Sequence, residues 1–446
     1  MKIKLLLLGL LFGIFVHAQN SFRLINTQKA IIPFQLINNL IFIPININGA
    51  SLTFMVDTGV AETILFSLEN QDLKLGNVEK IKFSGLGGSL SIDGLKSDRN
   101  IARIGNEIIN NSMSLYVILD EEFNVSSHVG IPVNGVIGYH FFKDHPIAID
   151  YISKKITVYE NINPLKRKVR KFNEIPISIE KDKPYLNADV EMTSERKDSK
   201  LLIDLGNSDA IWLFPTLIKD FVYNRPNIDD FLGRGFNGDI YGKRSRIHNF
   251  YLSDFKFEKP LTAMPDEYSI QHVNLVKDRK GSIGGELMRR FSVIFDYPNN
   301  KLYLKKNRNF DDPFHFNMSG LDFKQDGMEW QQDRVKIETQ SMGGNVNSAV
   351  GNKNEVFRES FQYNFILKPI FSIAGVRKDS PAYEAGLKKD DRVISINGDK
   401  TSDMTLEKIL EIMKSSEGRT IIMVIQRQEQ NLTFRFNLED PIPYQE

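Results

Sequence analysis

Leu52-Thr53-Phe54-Met55-Val56-Asp57-Thr58-Gly59 returns about 147 residues later as Leu201-Leu202-Ile203-Asp204-Leu205-Gly206. Each stretch is an apolar run that ends on an aspartate, with glycine two positions on. One such stretch is an ordinary strand-to-turn transition. Two offer a pair of carboxylates in equivalent settings on one chain. Other landmarks keep the spacing: Gly135-Val136-Ile137-Gly138, then Asp150-Tyr151 and Lys155-Ile156-Thr157-Val158, are answered 146 positions on by Gly281-Ser282-Ile283-Gly284, Asp296-Tyr297 and Lys301-Leu302-Tyr303-Leu304. Gly85-Leu86-Gly87-Gly88 with Gly94 precedes Gly233-Arg234-Gly235-Phe236 with Gly242 by 148. Self-similarity at a nearly fixed offset marks an internal duplication.

The chain has 446 residues, enough for about three domains. Residues 1–18 read as a secretory signal: Lys2 and Lys4 form a basic start, Leu5 to Phe15 an apolar run, and Val16-His17-Ala18 a cleavage site. That run is short for a membrane span, so no stable membrane insertion is expected after cleavage. Without Lys2 and Lys4 the chain carries 55 basic and 56 acidic residues, a net of −1. Such a balance recruits neither nucleic acid nor an anionic membrane. The absence of cysteine removes disulfides, a thiol nucleophile and Cys-based metal sites. An exported protein, periplasmic or extracellular and of bacterial type, is the expectation.

Residues 30–160 are rich in short β-branched runs broken by Asn, Gly and Asp, and residues 171–306 repeat that character. Pro164 to Lys171 is a basic connector between them. Residues 307–358 read as a linker or extension, with a polar Gly- and Asn-rich tract at 341–354. A third unit at 359–440 opens a helix with Ser380-Pro381 and closes it at Gly386. Leu406, Ile409, Leu410 and Met413 then mark an amphipathic helix within 405–415, before strands at 420–426 and 432–438. The whole is expected to be mostly β, with an α+β unit at the C-terminus.

Two carboxylates within hydrogen-bond reach cannot both ionise comfortably, so one keeps a proton while the other acts as base. Aspartic proteases are the standing example of that pairing. The residues resemble this family, specifically its duplicated, retropepsin-like type in secreted bacterial proteins. The likeness covers about 30–306 and rests on Asp57-Thr58-Gly59, Asp204-Leu205-Gly206, Val136-Ile137-Gly138 and Ser282-Ile283-Gly284. It implies two homologous acid-protease β-barrel lobes, with Asp57 and Asp204 as catalytic dyad and Thr58, Gly59 and Gly206 supporting the active-site loops. It implies a flap from Gly85, Leu86, Gly87 and Gly88, and from Gly233, Arg234 and Gly235. Cofactors and metals are not implied, and one chain suffices to complete the dyad. Leu205 departs from the family's usual Thr or Ser, and Val60 from its usual small residue. A peptide-binding pseudoprotease therefore stands as the alternative; a carboxylate-pair glycosidase leaves the repeat symmetry without a reason.

Ser380-Pro381-Ala382, Ala385-Gly386-Leu387, Asp391, Ile394 and Ile396-Asn397-Gly398 resemble a PDZ domain of the bacterial, circularly permuted kind. PDZ domains capture protein C-termini as an added strand. The loop implied for the carboxylate is Tyr363-Asn364-Phe365-Ile366, although it lacks the usual glycine. His140 and His145 lie near Asp144 but have no histidine counterpart in 286–291, and they read as packing or surface residues.

Overall fold

A computed structural model describes residues 20–69, 71–83, 92–118, 123–192, 195–218, 221, 225–235, 238–270, 275–336 and 361–444. The segment read as a signal peptide lies outside them, as do Gly85, Leu86, Gly87 and Gly88. The chain is mostly β and divides into two units, one of 1–124, 133–314 and 444–446, the other of 125–132 and 315–443.

The first unit contains the duplication. In its first half, Leu40–Ile47 pairs antiparallel with Ala50–Val56, and Gly135–Ile137 runs parallel on the other side of Ala50–Val56. In its second half, Lys183–Glu191, Arg196–Ile203 and Arg279–Ile283 repeat this arrangement. The registers match: Phe42 faces Met55 as Tyr185 faces Leu202, and Ile137 lies beside Val56 as Ile283 lies beside Ile203. Strict alternation in Ala50–Val56 buries Leu52, Phe54 and Val56. That alternation keeps the strand in one register, since a one-residue slip would turn this set toward solvent.

A six-stranded sheet joins the halves, in the order Asn173–Pro176, Lys301–Lys306, Phe291–Asp296, Ile147–Asp150, Lys155–Tyr159 and Lys29–Pro33. Its centre pairs the two copies of one strand, Ile147 against Phe295 and Asp150 against Ser292. The landmarks Asp150-Tyr151 and Asp296-Tyr297 thus end equivalent strands, and both tyrosines are buried. One continuous apolar core, from Phe22 to Phe314, runs through both halves.

The second unit forms a separate core around Phe371, Ile373, Ile409 and Met423. Its helix Pro381–Ala385 starts at Ser380, whose hydroxyl accepts from Tyr383 N, and stops at left-handed Gly386. Leu406–Met413 is the expected amphipathic helix, with Leu406, Ile409 and Met413 buried. Asp391 receives both Nε and Nη2 of Arg427 at 2.7 Å, a bidentate pair closing this core.

The strand pairing overturns two expectations. The stretch 307–358 is not simply linker, because Leu321–Lys336 is a strand of the second unit's sheet, paired with Phe361–Val376. Its polar and charged residues hid it: only Leu321 and Phe323 are buried, and beyond them neither face of the strand is buried among its described residues, so no apolar alternation is needed. Tyr363, Asn364 and Phe365 are not a loop: they lie in that second strand, opposite Arg334, Asp333 and Gln332. Ladder pairing of this backbone conflicts with the free amide nest that a carboxylate loop requires.

Candidate active site

Asp57 and Asp204 each follow the last residue of an interior strand, Val56 and Ile203. Asp57 N donates to Ile137 O at 3.0 Å and Asp204 N to Ile283 O at 2.9 Å, so each is fixed by the parallel strand beside it in its own half. The two carboxyls are hydrogen-bonded to each other. Gly59 N donates to Asp57 Oδ1 at 2.6 Å, and Gly206 N donates to Asp204. A side chain has no room at either glycine. A Cβ on Gly59 would lie 2.7 Å from Asp204 Oδ1, and one on Gly206 would lie 2.2 Å from Asp57 Cγ.

The loops are braced by one hydroxyl. Thr58 is buried; its Oγ1 donates to Ile203 O at 2.6 Å and accepts from Leu205 N at 3.0 Å. Leu205, in the mirrored position, is 1% exposed and belongs to the apolar core. The departure seen in the sequence thus replaces half of a polar brace with packing. Gly138 and Gly284 lie close to these loops, where a Cβ would meet Val60 O at 2.2 Å and Asp209 O at 2.4 Å.

Burial, and then the charge of Asp204, push the Asp57 carboxyl up to about 8. Burial raises Asp204 as well, but Arg279 and then Lys183 oppose that rise. The two carboxyls thus sit in unlike surroundings: Lys183 lowers both, whereas Arg279 acts on Asp204.

Sequence reasoning missed Lys183, Arg279 and Tyr185. Arg279 is buried, donates Nε to Gly281 O at 3.1 Å, bonds Tyr185 and stands 5.2 Å from the Phe214 ring centroid. In the sequence it sits within Lys277-Asp278-Arg279-Lys280, which reads as a solvated turn. The usable signal was position, because Arg279 starts the strand that leads to Ser282-Ile283-Gly284. Also missed was Arg244, whose Nη1 and Nε donate to Asp209 at 2.7 Å and Asp230 at 2.5 Å. Trp212 Nε1 donates to the other Asp209 oxygen at 2.7 Å, tying the hairpin to the loop after Asp204.

Gly233, Arg234 and Gly235 end the strand Ile228–Gly235, which forms a hairpin with Gly238–Arg246. Gly233 has φ +142°, a conformation other residues rarely adopt, beside a register shift. Phe231 and Tyr241 face each other there, ring centroids 5.6 Å apart and both exposed. His140 faces Glu62 at 3.3 Å, and buried His145 contacts Phe22 O at 3.0 Å. Among the described residues, no group of three or more His, Asp or Glu could hold a metal.

A family model described as a PDZ domain matches residues 372–427. No curated protein matches the chain. Among solved structures, the crystal structure of an aspartic proteinase from Irpex lacteus is similar at 11% identity, with 64% of this chain and 99% of that one covered and a TM-score of 0.40.

Proposed function

We propose that this protein is an exported aspartic endopeptidase of the retropepsin-like, bacterial type, acting in the periplasm or outside the cell. The hydrogen-bonded carboxyls of Asp57 and Asp204, at equivalent strand ends of a duplicated fold, carry this reading. Asp204, beside Lys183 and Arg279, is the ionised base; Asp57 supplies the proton. A water held between them loses a proton to Asp204 as its oxygen bonds to the peptide carbonyl carbon. Asp57 gives its proton to the carbonyl oxygen, leaving a neutral tetrahedral diol. The diol then loses a hydroxyl proton to Asp57, the nitrogen takes the proton from Asp204, and the C–N bond breaks. Both carboxyls return to their starting states, so the cycle closes without a cofactor.

Because Asp57 keeps its proton to about pH 8, the working form of the dyad extends into the neutral range. Gly233, Arg234 and Gly235 act as a flap over a peptide. Both carboxyls belong to one chain, so a monomer completes the dyad. The PDZ domain docks a peptide segment or a protein C-terminus.

The test is cleavage of a diverse peptide library by the mature chain from Gln19, read by mass spectrometry from pH 3 to 8. Asp57→Asn and Asp204→Asn should each lower turnover on the order of 10⁴-fold, the scale of removing one member of a catalytic unit. Cleavage that survives both changes overturns the assignment. Saturable binding without cleavage identifies a peptide-binding protein instead, the reading that Leu205 favours.

A further inference from the structure

The two halves differ most in charge around their aspartates. With Phe42 facing Met55, the register carried two residues on sets Leu40 opposite Asp57. With Tyr185 facing Leu202, the same step sets Lys183 opposite Asp204. On the parallel neighbours, two residues before Gly135 and Gly281, stand Val133 and Arg279. Two apolar side chains in one half are thus two cations in the other.

A dyad with one shared proton carries one negative charge against two positive ones. Arg279 is anchored by Gly281 O and Tyr185, neither of which is an acid. Burial, and then the charge of Arg279, push the Lys183 ammonium down; Asp57 and Asp204 oppose that, and among the described residues Lys183 makes no ion pair. A cation so enclosed is costly unless an anion meets it. The dyad cannot fully meet both, because its proton is needed for chemistry. Lys183 remains partly exposed, so an incoming group can reach it.

We propose that Lys183 and Arg279 form an anion subsite beside Asp204, which takes the carboxylate of a Glu or Asp side chain flanking the scissile bond of the peptide. The subsite deepens the endopeptidase reading and rests on it for the substrate class. Arg279 is the fixed buried cation, and Lys183 the one whose ammonium closes on the carboxylate. The apolar Leu40 and Val133 leave the corresponding place in the first half without charge, so the preference is confined to one side of the scissile bond.

The test uses the full mature chain and two libraries of six-residue peptides with a reduced, non-cleavable central amide. They are identical except that one carries Glu and the other Gln at the positions flanking that amide. Glu peptides should bind about 10-fold more tightly, the scale of a hydrogen bond to a charged group. In Lys183→Met that ratio should fall toward one; Lys183→Arg should retain most of it. Arg279→Gln should also lower the ratio, with Arg279→Lys as the folded, charge-keeping control. Equal binding of the two libraries overturns the subsite, and so does a ratio that survives Lys183→Met. The cleavable versions separate the two readings: cleavage without Glu preference sinks the subsite alone. Glu-preferring binding without cleavage sinks only the endopeptidase. Neither binding nor cleavage sinks both.

Discussion

The two halves of the first unit share a backbone and differ in chemistry. Around Asp57 the neighbours are Thr58, Leu40 and Val133; around Asp204 they are Leu205, Lys183 and Arg279. The first half supplies the hydroxyl that braces both loops, and the second supplies packing through Leu205 and the two cations. Duplication fixes where a carboxyl must stand, because strand register and close-packed glycines fix it. It does not fix which carboxyl is ionised. That follows from side chains free to diverge, and here they place Arg279 against Asp204 with no counterpart cation at Val133.

The sharpest way to break the comparison is at the glycines. A Cβ on Gly206 would sit 2.2 Å from the carboxyl carbon of Asp57, whereas one on Gly59 would sit 2.7 Å from an oxygen of Asp204. Gly206→Ala must displace Asp57 and should lower kcat on the order of 100-fold, the cost of moving a reacting group by about 1 Å. Gly59→Ala should cost less. Equal losses in library cleavage would show that the two sites tolerate crowding alike.

The braces come next. Leu205→Ala leaves a hole in the core and should cost about 3 kcal/mol of stability. Thr58→Val removes no volume but leaves Leu205 N and Ile203 O without partners, at about 2 kcal/mol. Denaturant unfolding followed by tryptophan fluorescence reads both. Of the two tryptophans, Trp212 is buried in the duplicated unit, while Trp330 of the second unit is 70% exposed. A Thr58→Val variant as stable as the parent would show that packing alone holds the loops.

Much of this arrangement was legible in the sequence. Apolar runs ending in Asp-x-Gly, repeated with Val136-Ile137-Gly138 and Ser282-Ile283-Gly284, contain the strand ends and the close approach of backbone to carboxyl. The second unit's helices were legible because Ser380, Pro381 and Gly386 each have a local reason for their place. Lys183 and Arg279 were not legible, because a basic residue at a strand start reads as solvated until register shows what it faces. Leu321–Lys336 escaped for a related reason: a polar hairpin strand lacks the alternation that announces burial.

The finest test of the pair is its dependence on pH. The Asp57 carboxyl is raised from 3.8 to about 8, chiefly by burial. The native chain therefore keeps a proton that the unfolded chain releases near pH 4. Between those values the native state binds more protons, so stability falls as pH rises, on the order of 1 kcal/mol per pH unit. Asp57→Asn removes this titrating group; Asp204 remains, raised by burial and held back by Arg279 and then Lys183. This variant should gain on the parent steadily from pH 5 to 7.5 in thermal unfolding. Asp204→Asn should keep most of the parent's slope, because burial rather than its partner is the main cause of the Asp57 shift. If both variants flatten the slope alike, each carboxyl depends equally on the other, and Lys183 and Arg279 do not set the difference between them.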